Sequence, residues 1–96
     1  MSQPEMRVLP YGAKEWFLNG KLHREDGPAI ENPNGEKLWY LHGNLHREDG
    51  PAIEWPNGIK FWYLNAGLVT WKEVFRNANG DLEKECRILT YALANG

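Results

Sequence analysis

One repeat constrains this chain more than any other feature. The ten residues Leu22 to Glu31, Leu-His-Arg-Glu-Asp-Gly-Pro-Ala-Ile-Glu, return unchanged from Leu45 to Glu54, an offset of 23 in a chain of 96. A period of about 20–50 residues marks stacked structural units, so duplication of one small element is the first thing a fold must satisfy. The similarity runs beyond those ten letters. Trp16-Phe17-Leu18-Asn19-Gly20 matches Trp39-Tyr40-Leu41-His42-Gly43 and then Trp62-Tyr63-Leu64-Asn65-Ala66-Gly67, where Ala66 reads as an inserted residue. Pro33-Asn34-Gly35 matches Pro56-Asn57-Gly58, and Pro10-Tyr11-Gly12 is a degraded form of it. The chain thus reads as half a unit over 6–15, full units over 16–38 and 39–61, and a third that fades after Leu68.

Each unit has the chemistry of paired strands. Lys14–Leu18, Lys37–Leu41 and Lys60–Leu64 are rich in aromatic and branched residues, which suit strands. Asn19-Gly20 predicts a type I′ hairpin, whose two central residues both need positive φ, and His42-Gly43 stands in the same place. Glu-Asp-Gly-Pro breaks the returning strand: Gly27 is expected to supply a left-handed conformation and Pro28 removes a donor. Ala29-Ile30-Glu31 starts a new short strand, and Asn32-Pro33-Asn34-Gly35 turns the chain again. Met1–Glu5 reads as a loose terminus, and Arg7-Val8-Leu9 as a strand standing in for Ala-Ile-Glu.

Beyond Leu68 the period changes. Trp71, Val74, Phe75 and Ala78 fall at i, i+3, i+4, i+7, a one-sided helical stripe. Thr70 with Glu73 predicts a capping box before it, Asn79-Gly80 a stop after it, and Asp81 a cap for a second helix. In that helix Leu82, Cys86, Leu89 and Leu93 form a narrow apolar seam. The seam either docks on the protein's own sheet or pairs with a second copy; its narrowness favours a homodimer. The expected fold is mainly β: a single domain over 1–96, an antiparallel meander of β-hairpin repeats over 6–68, closed by one or two short helices over 70–94.

Two aromatic ladders run along the repeat, Trp16, Trp39, Trp62 in one phase and Phe17, Tyr40, Tyr63 in the other. Successive strand residues face opposite sides, so both faces carry rings. One ladder is expected to form the core, and the other to be partly exposed, covered by the closing helices or by another chain.

His-Arg-Glu-Asp offers a base, a cation and two carboxylates, and His23 or His46 could act with Glu25 or Glu48 in catalysis or metal binding. The structural reading is stronger, because a sequence repeated at the structural period does the same structural job in each unit. Arg24 and Arg47 can pair with a carboxylate of the adjacent unit, and Asp26 and Asp49 can bond the backbone of the Gly-Pro turn. No recognised zinc spacing and no phosphate-binding glycine loop is present. No catalytic residue, metal or cofactor is therefore expected.

Composition narrows the partners. A net charge of −2 argues against nucleic acid, despite base-stacking rings. One cysteine, Cys86, excludes an intrachain disulfide and fits a reducing compartment. Neither a signal peptide nor a membrane-spanning run is apparent, so a cytoplasmic, membrane-free protein is expected.

The Trp-Tyr-Leu-Asn-Gly and Leu-His-Arg-Glu-Asp-Gly-Pro-Ala elements resemble the HREDGPA repeats, a variant of the MORN-type hairpin repeats that is widespread in bacteriophage genomes. The resemblance covers about 10–78 and includes Val69, Thr70, Glu73, Val74 and Phe75, which look like the usual closing helix of such arrays. It departs in the short array, in Ala66, and in the tail from Asp81 on. It implies hairpin repeats and a viral origin, with no common enzymatic activity. By that association, the expected function is non-enzymatic binding in the host cytoplasm, engaging and inhibiting a host protein such as a CRISPR-type defence component. The alternative is a sponge for a small anionic nucleotide signal. Candidate binding residues are Trp16, Trp39, Trp62, Tyr40, Tyr63, His23, Arg24, His46 and Arg47; candidate oligomerisation residues are Leu82, Cys86, Leu89 and Leu93.

Overall fold

A computed structural model describes residues 3–94. Ten strands precede two helices: β1 (Glu5–Val8), β2 (Lys14–Leu18), β3 (Lys21–Leu22), β4 (Ile30–Glu31), β5 (Lys37–Leu38), β6 (Tyr40–Leu41), β7 (Asn44–Leu45), β8 (Ile53–Glu54), β9 (Lys60–Leu64), β10 (Gly67–Val69), α1 (Trp71–Ala78) and α2 (Leu82–Ala94). The main sheet is antiparallel in the order β1-β2-β4-β5-β8-β9-β10, with β3 attached to β2 and β6-β7 as a separate hairpin. The mainly β meander closed by two short helices is therefore the fold. The first strand begins at Glu5, inside the expected loose terminus, whose Met1 and Ser2 lie outside the described residues.

The 23-residue period is written into the register. Val8↔Lys14, Glu31↔Lys37 and Glu54↔Lys60 are equivalent pairs, as are Phe17↔Leu22, Tyr40↔Leu45 and Tyr63↔Leu68. The last pair corrects the reading of Ala66 as an insertion. Ala66 occupies the place of Gly20 and Gly43, and the period runs unbroken to Leu68. The hairpin turns have φ of 52° and 78° at Asn19-Gly20, 51° and 82° at His42-Gly43, and 49° and 67° at Asn65-Ala66. The Asn-Gly turns are built as expected, while Ala66 holds a left-handed conformation with a Cβ, at a cost of about 1–2 kcal/mol.

The units are joined by backbone bonds that recur at the same offset. Gly43 N–H donates to the Leu22 carbonyl at 2.8 Å, and Ala66 N–H to the Leu45 carbonyl at 2.8 Å. Within the array the fully buried apolar side chains include the small Ala13, Ala29 and Ala52, the last two at equivalent positions of the repeat. The larger core lies at the C-terminal end, where Val74, Ala78 and Ile88 are buried against Trp62, Leu64, Val69, Trp71 and Phe75. The α1 stripe thus packs as its spacing requires. Its capping box does not form: Thr70 stands at the N-cap with no side-chain bond, and Glu73 N–H bonds the Thr70 carbonyl instead. Asn79, left-handed at φ 51°, stops α1, and Asp81 Oδ1 accepts from Lys84 N–H at 3.1 Å to start α2.

Of the two roles open to the α2 seam, docking on the protein's own sheet is not the one it takes. Leu82, Cys86 and Leu93 are exposed and Leu89 is half-buried, while Ile88 and Ala92 are buried. The four-residue seam competes on this short helix with the pair Ile88 and Ala92, and the pair, a β-branched residue with a small neighbour, fits the tight space beside α1.

Candidate functional site

The repeated motif builds its own turn. Arg24 Nε donates to Asp26 Oδ1 at 3.1 Å, and its Nη1 donates to the Pro28 carbonyl at 3.1 Å and to Glu31 Oε2 at 3.0 Å. Arg47 repeats this with Asp49 at 2.8 Å, the Pro51 carbonyl at 3.1 Å and Glu54 at 3.0 Å. Each guanidinium therefore pairs within its own unit, not with the adjacent one. It is Arg, not Asp, that bonds the backbone of the Gly-Pro turn. The Asp holds the Arg in place, as a charge-assisted acceptor.

The glycine has a different reason from the expected one. Gly27 and Gly50 do not have positive φ. They are needed because the guanidinium lies against them: an added Cβ would come within 2.7 Å of Arg24 Cζ at Gly27, and within 2.6 Å of Arg47 Cζ at Gly50.

A ladder tryptophan also lies against each guanidinium. Arg24 Cζ is 3.9 Å from the Trp16 ring centre and Arg47 Cζ is 3.8 Å from that of Trp39, cation–π contacts worth about 0.5–2 kcal/mol each. At the corresponding third position Thr70 replaces the arginine, and Tyr91 of α2 covers Trp62 edge-on at 6.5 Å. The six ladder rings are all half-buried, so the expected division into a core ladder and an exposed ladder does not hold. Trp39 Nε1 is buried with no partner among the described residues.

The histidines tie one unit to the next. His23 Nδ1 accepts the His42 N–H at 2.9 Å, and His46 Nδ1 accepts the Asn65 N–H at 2.9 Å. Both donors sit at the first position of the next hairpin turn, where the backbone N–H would otherwise be an orphan. A ring that accepts at Nδ1 carries its proton on Nε2. Nε2 faces Glu25 at 3.5 Å in the first copy and Glu48 at 3.0 Å in the second.

Only the second copy is covered. Lys84 Nζ donates to Glu48 Oε1 at 2.8 Å, Arg87 Nη1 to Asp49 Oδ2 at 2.9 Å, and Arg47 Nη2 to the Tyr91 hydroxyl at 3.3 Å. The Lys84 and His46 bonds hold the Glu48 carboxyl below its usual range. Burial pushes Asp49 up, but bonds from Arg47 and Arg87 outweigh it and leave its pKa lowered. In the first copy the equivalent carboxylates face solvent: Glu25 and Asp26 are 82% and 89% exposed, against 43% and 21% for Glu48 and Asp49.

Between the two copies and α2 lies a groove of about 900 Å³. Its walls bring together His23, Arg24, His46, Arg47 and Trp39 among the candidate binding residues. Trp16, Trp62, Tyr40, Tyr63 and the α2 seam lie outside it. Lys84, Arg87 and Tyr91 line it and were not distinguishable as site residues from the repeat alone. Their signal was present: two cations and a phenol at i, i+3, i+7 match the acid pair and arginine of the motif. Among the described residues no group of three His, Cys, Asp or Glu side chains could hold a metal ion, and no helix is long and apolar enough to cross a membrane. Comparison with family models, with curated proteins and with solved structures finds no match for this chain.

Proposed function

We propose that this chain is a non-enzymatic binding protein that engages a macromolecular partner through the groove beside its first repeat. One observation carries the reading. The side chains best suited to chemistry, His23, Arg24, His46 and Arg47, are occupied in holding turns and joining units. What faces outward is a surface, with the exposed Glu25 and Asp26 carboxylates and the half-buried ring of Trp39. The resemblance to HREDGPA repeats extends the proposal to a phage-encoded protein acting on a host protein, a CRISPR-type defence component being its most concrete form. The nucleotide-sponge alternative has less support, since each arginine already satisfies two carboxylates and a carbonyl.

Self-association belongs to the same proposal. Leu82, Cys86 and Leu93 stand exposed on the side of α2 away from its docked face, with Leu89 at their margin. Leu82→Asp with Leu93→Asp should turn a dimer into a folded monomer by light scattering; unchanged mass would remove the homodimer.

The main test places a photo-crosslinking residue at Thr90, on the groove wall. The protein is expressed in a bacterial host, irradiated, and the adducts are identified by mass spectrometry. One stoichiometric protein adduct, absent when the crosslinker is at Arg76 on the exposed side of α1, is expected. Adducts distributed alike from both positions, or tight calorimetric binding of a nucleotide with no protein adduct, would overturn the proposal.

A further inference from the structure

The same ten residues appear twice, and in one of the two places the molecule shows what sits on them. In the second copy α2 reads the outward groups of the motif with Lys84 on Glu48, Arg87 on Asp49 and Tyr91 on Arg47. These three side chains fall at i, i+3 and i+7, on one face of the helix. The first copy presents the same groups, held in the same way. Arg24 makes the same three internal bonds as Arg47, to within 0.3 Å of their lengths. Its Nη2, which in the second copy meets the tyrosine hydroxyl, has no acceptor among the described residues. Glu25 and Asp26 are turned out to solvent.

Space is available as well as chemistry. One repeat adds two strands to the sheet, β4 and β5 and then β8 and β9. At about 4.8 Å per strand, the copies are displaced by about 10 Å, the width at which two helices pack. The groove fills this interval, with α2 as one wall and the first copy as the other. The cations on the α2 wall are already neutralised by Glu48 and Asp49, so they do not repel a basic visitor as free charges would.

We propose that the first copy is a docking position for a helix of the partner protein, one that presents the chemistry of α2: two cations one turn apart and an aromatic hydroxyl a further turn on. This rests on the binding-protein reading and names the partner's contact element. The partner's cations would bond Glu25 and Asp26, and its aromatic hydroxyl would accept from Arg24 Nη2, as Tyr91 does from Arg47. The protein's own tail would thus serve as the internal copy of its target.

The probe for the test is a lactam-stapled peptide of residues 81–94, titrated into the intact chain by calorimetry. Stapling is needed because a helix of this length is marginal alone. One peptide per chain is expected to bind. Glu25→Lys with Asp26→Asn should weaken it about tenfold or more, since two exposed ion pairs are lost or reversed. The amide oxygen introduced by Asp26→Asn would keep an acceptor for Arg24 Nε, and amide NMR spectra would verify that the variant remains folded. A peptide with Lys84→Glu and Arg87→Glu should not bind. Three results would overturn the inference: no binding at about 1 mM peptide, the weakest affinity that would be meaningful; binding unchanged in the Glu25/Asp26 variant, which would place the peptide at the second copy in exchange with α2; or binding by the charge-reversed peptide. A partner crosslinked at Thr90 and still captured by the Glu25/Asp26 variant would leave the binding-protein reading standing while removing this one.

Discussion

Arg24 and Arg47 sit in identical sequence and make identical internal bonds, but one ends at solvent and the other beneath a helix. Arg47 is 7% exposed and Arg24 22%. The comparison separates two roles that the motif plays. Its inward half (arginine, glycine, proline carbonyl and histidine Nδ1) makes a turn and fastens it to the next unit. Its outward half (the glutamate, the aspartate and the last guanidinium nitrogen) is a reading surface. Where α2 covers that surface it is saturated; elsewhere it is open.

Removing each arginine gives the largest test of this division. Arg47→Ala leaves Asp49, Glu54 and the Pro51 carbonyl short of a donor beneath α2. The expected loss is about 3 kcal/mol, the lower end for breaking a buried pair. Arg24→Ala makes the same deletion where water can replace the guanidinium, and should cost about 1 kcal/mol. Urea denaturation of both variants measures the gap. Equal losses would mean that α2 adds nothing to the second copy.

The glycines sharpen the same contrast. The three atoms nearest to a Cβ at Gly27 all belong to the Arg24 guanidinium, the far end of a flexible side chain with water on its outer side. A side chain at Gly50 meets Arg47 and also Tyr91 Cε2 at 2.9 Å, so nothing there can give. Gly50→Val should cost about 2–3 kcal/mol and Gly27→Val about 1 kcal/mol, within the range for overpacking. Thermal melts that rank them in reverse would refute the close-approach explanation of these glycines.

The histidines should show no contrast, because their work is inward in both copies. His23→Ala and His46→Ala each strand one turn N–H, of His42 or Asn65, at a cost of about 1–2 kcal/mol. Matching shifts in the melting curves are expected. A much larger loss at one position would assign that histidine a further task.

Much of the fold was legible because it depends on short-range rules. The offset of 23 fixed the strand pairs, the Asn-Gly pairs fixed the turns, and the spacing of Trp71, Val74, Phe75 and Ala78 gave the packed face of α1. The errors came where a choice depended on the third dimension. Gly27 read as a left-handed residue because a Gly-Pro pair signals backbone freedom; the guanidinium packed on it comes from three positions earlier and leaves no mark in a turn rule. Ala66 read as an insertion because glycine was taken as the anchor of the turn, whereas the register follows Leu22, Leu45 and Leu68. The docked face of α2, Ile88 and Ala92, went unread because the leucines of the seam outweigh isoleucine and alanine in a stripe count. The candidate site was half legible: the motif declared itself, and its cover, Lys84, Arg87 and Tyr91, lies outside the repeat.

Acid should act on the covered copy by the smallest of these effects. Glu48 and Asp49 have folded pKa values below their ordinary values of 4.5 and 3.8. A carboxylate whose pKa is lowered by folding binds its proton more readily in the unfolded chain. Its contribution to stability is therefore complete above the ordinary value and is lost as pH falls through the lowered one. The melting temperature should show no pH dependence from these two groups above about pH 5, where their contribution is complete, and should decline below about pH 4 as the bonds to Lys84 and Arg87 lose their charge. The decline is small, because Glu48 and both cations are partly in water. Lys84→Ala with Arg87→Ala should lower the melting temperature slightly in the neutral region, where the pairs contribute in full, and make the acid limb shallower. The Glu25→Lys, Asp26→Asn variant of the open copy should leave the steepness contributed by Glu48 and Asp49 as it is. If instead the Lys84/Arg87 variant loses stability with the same slope as the parent, α2 is not held by these ion pairs, and the template on which the open copy is interpreted fails with them.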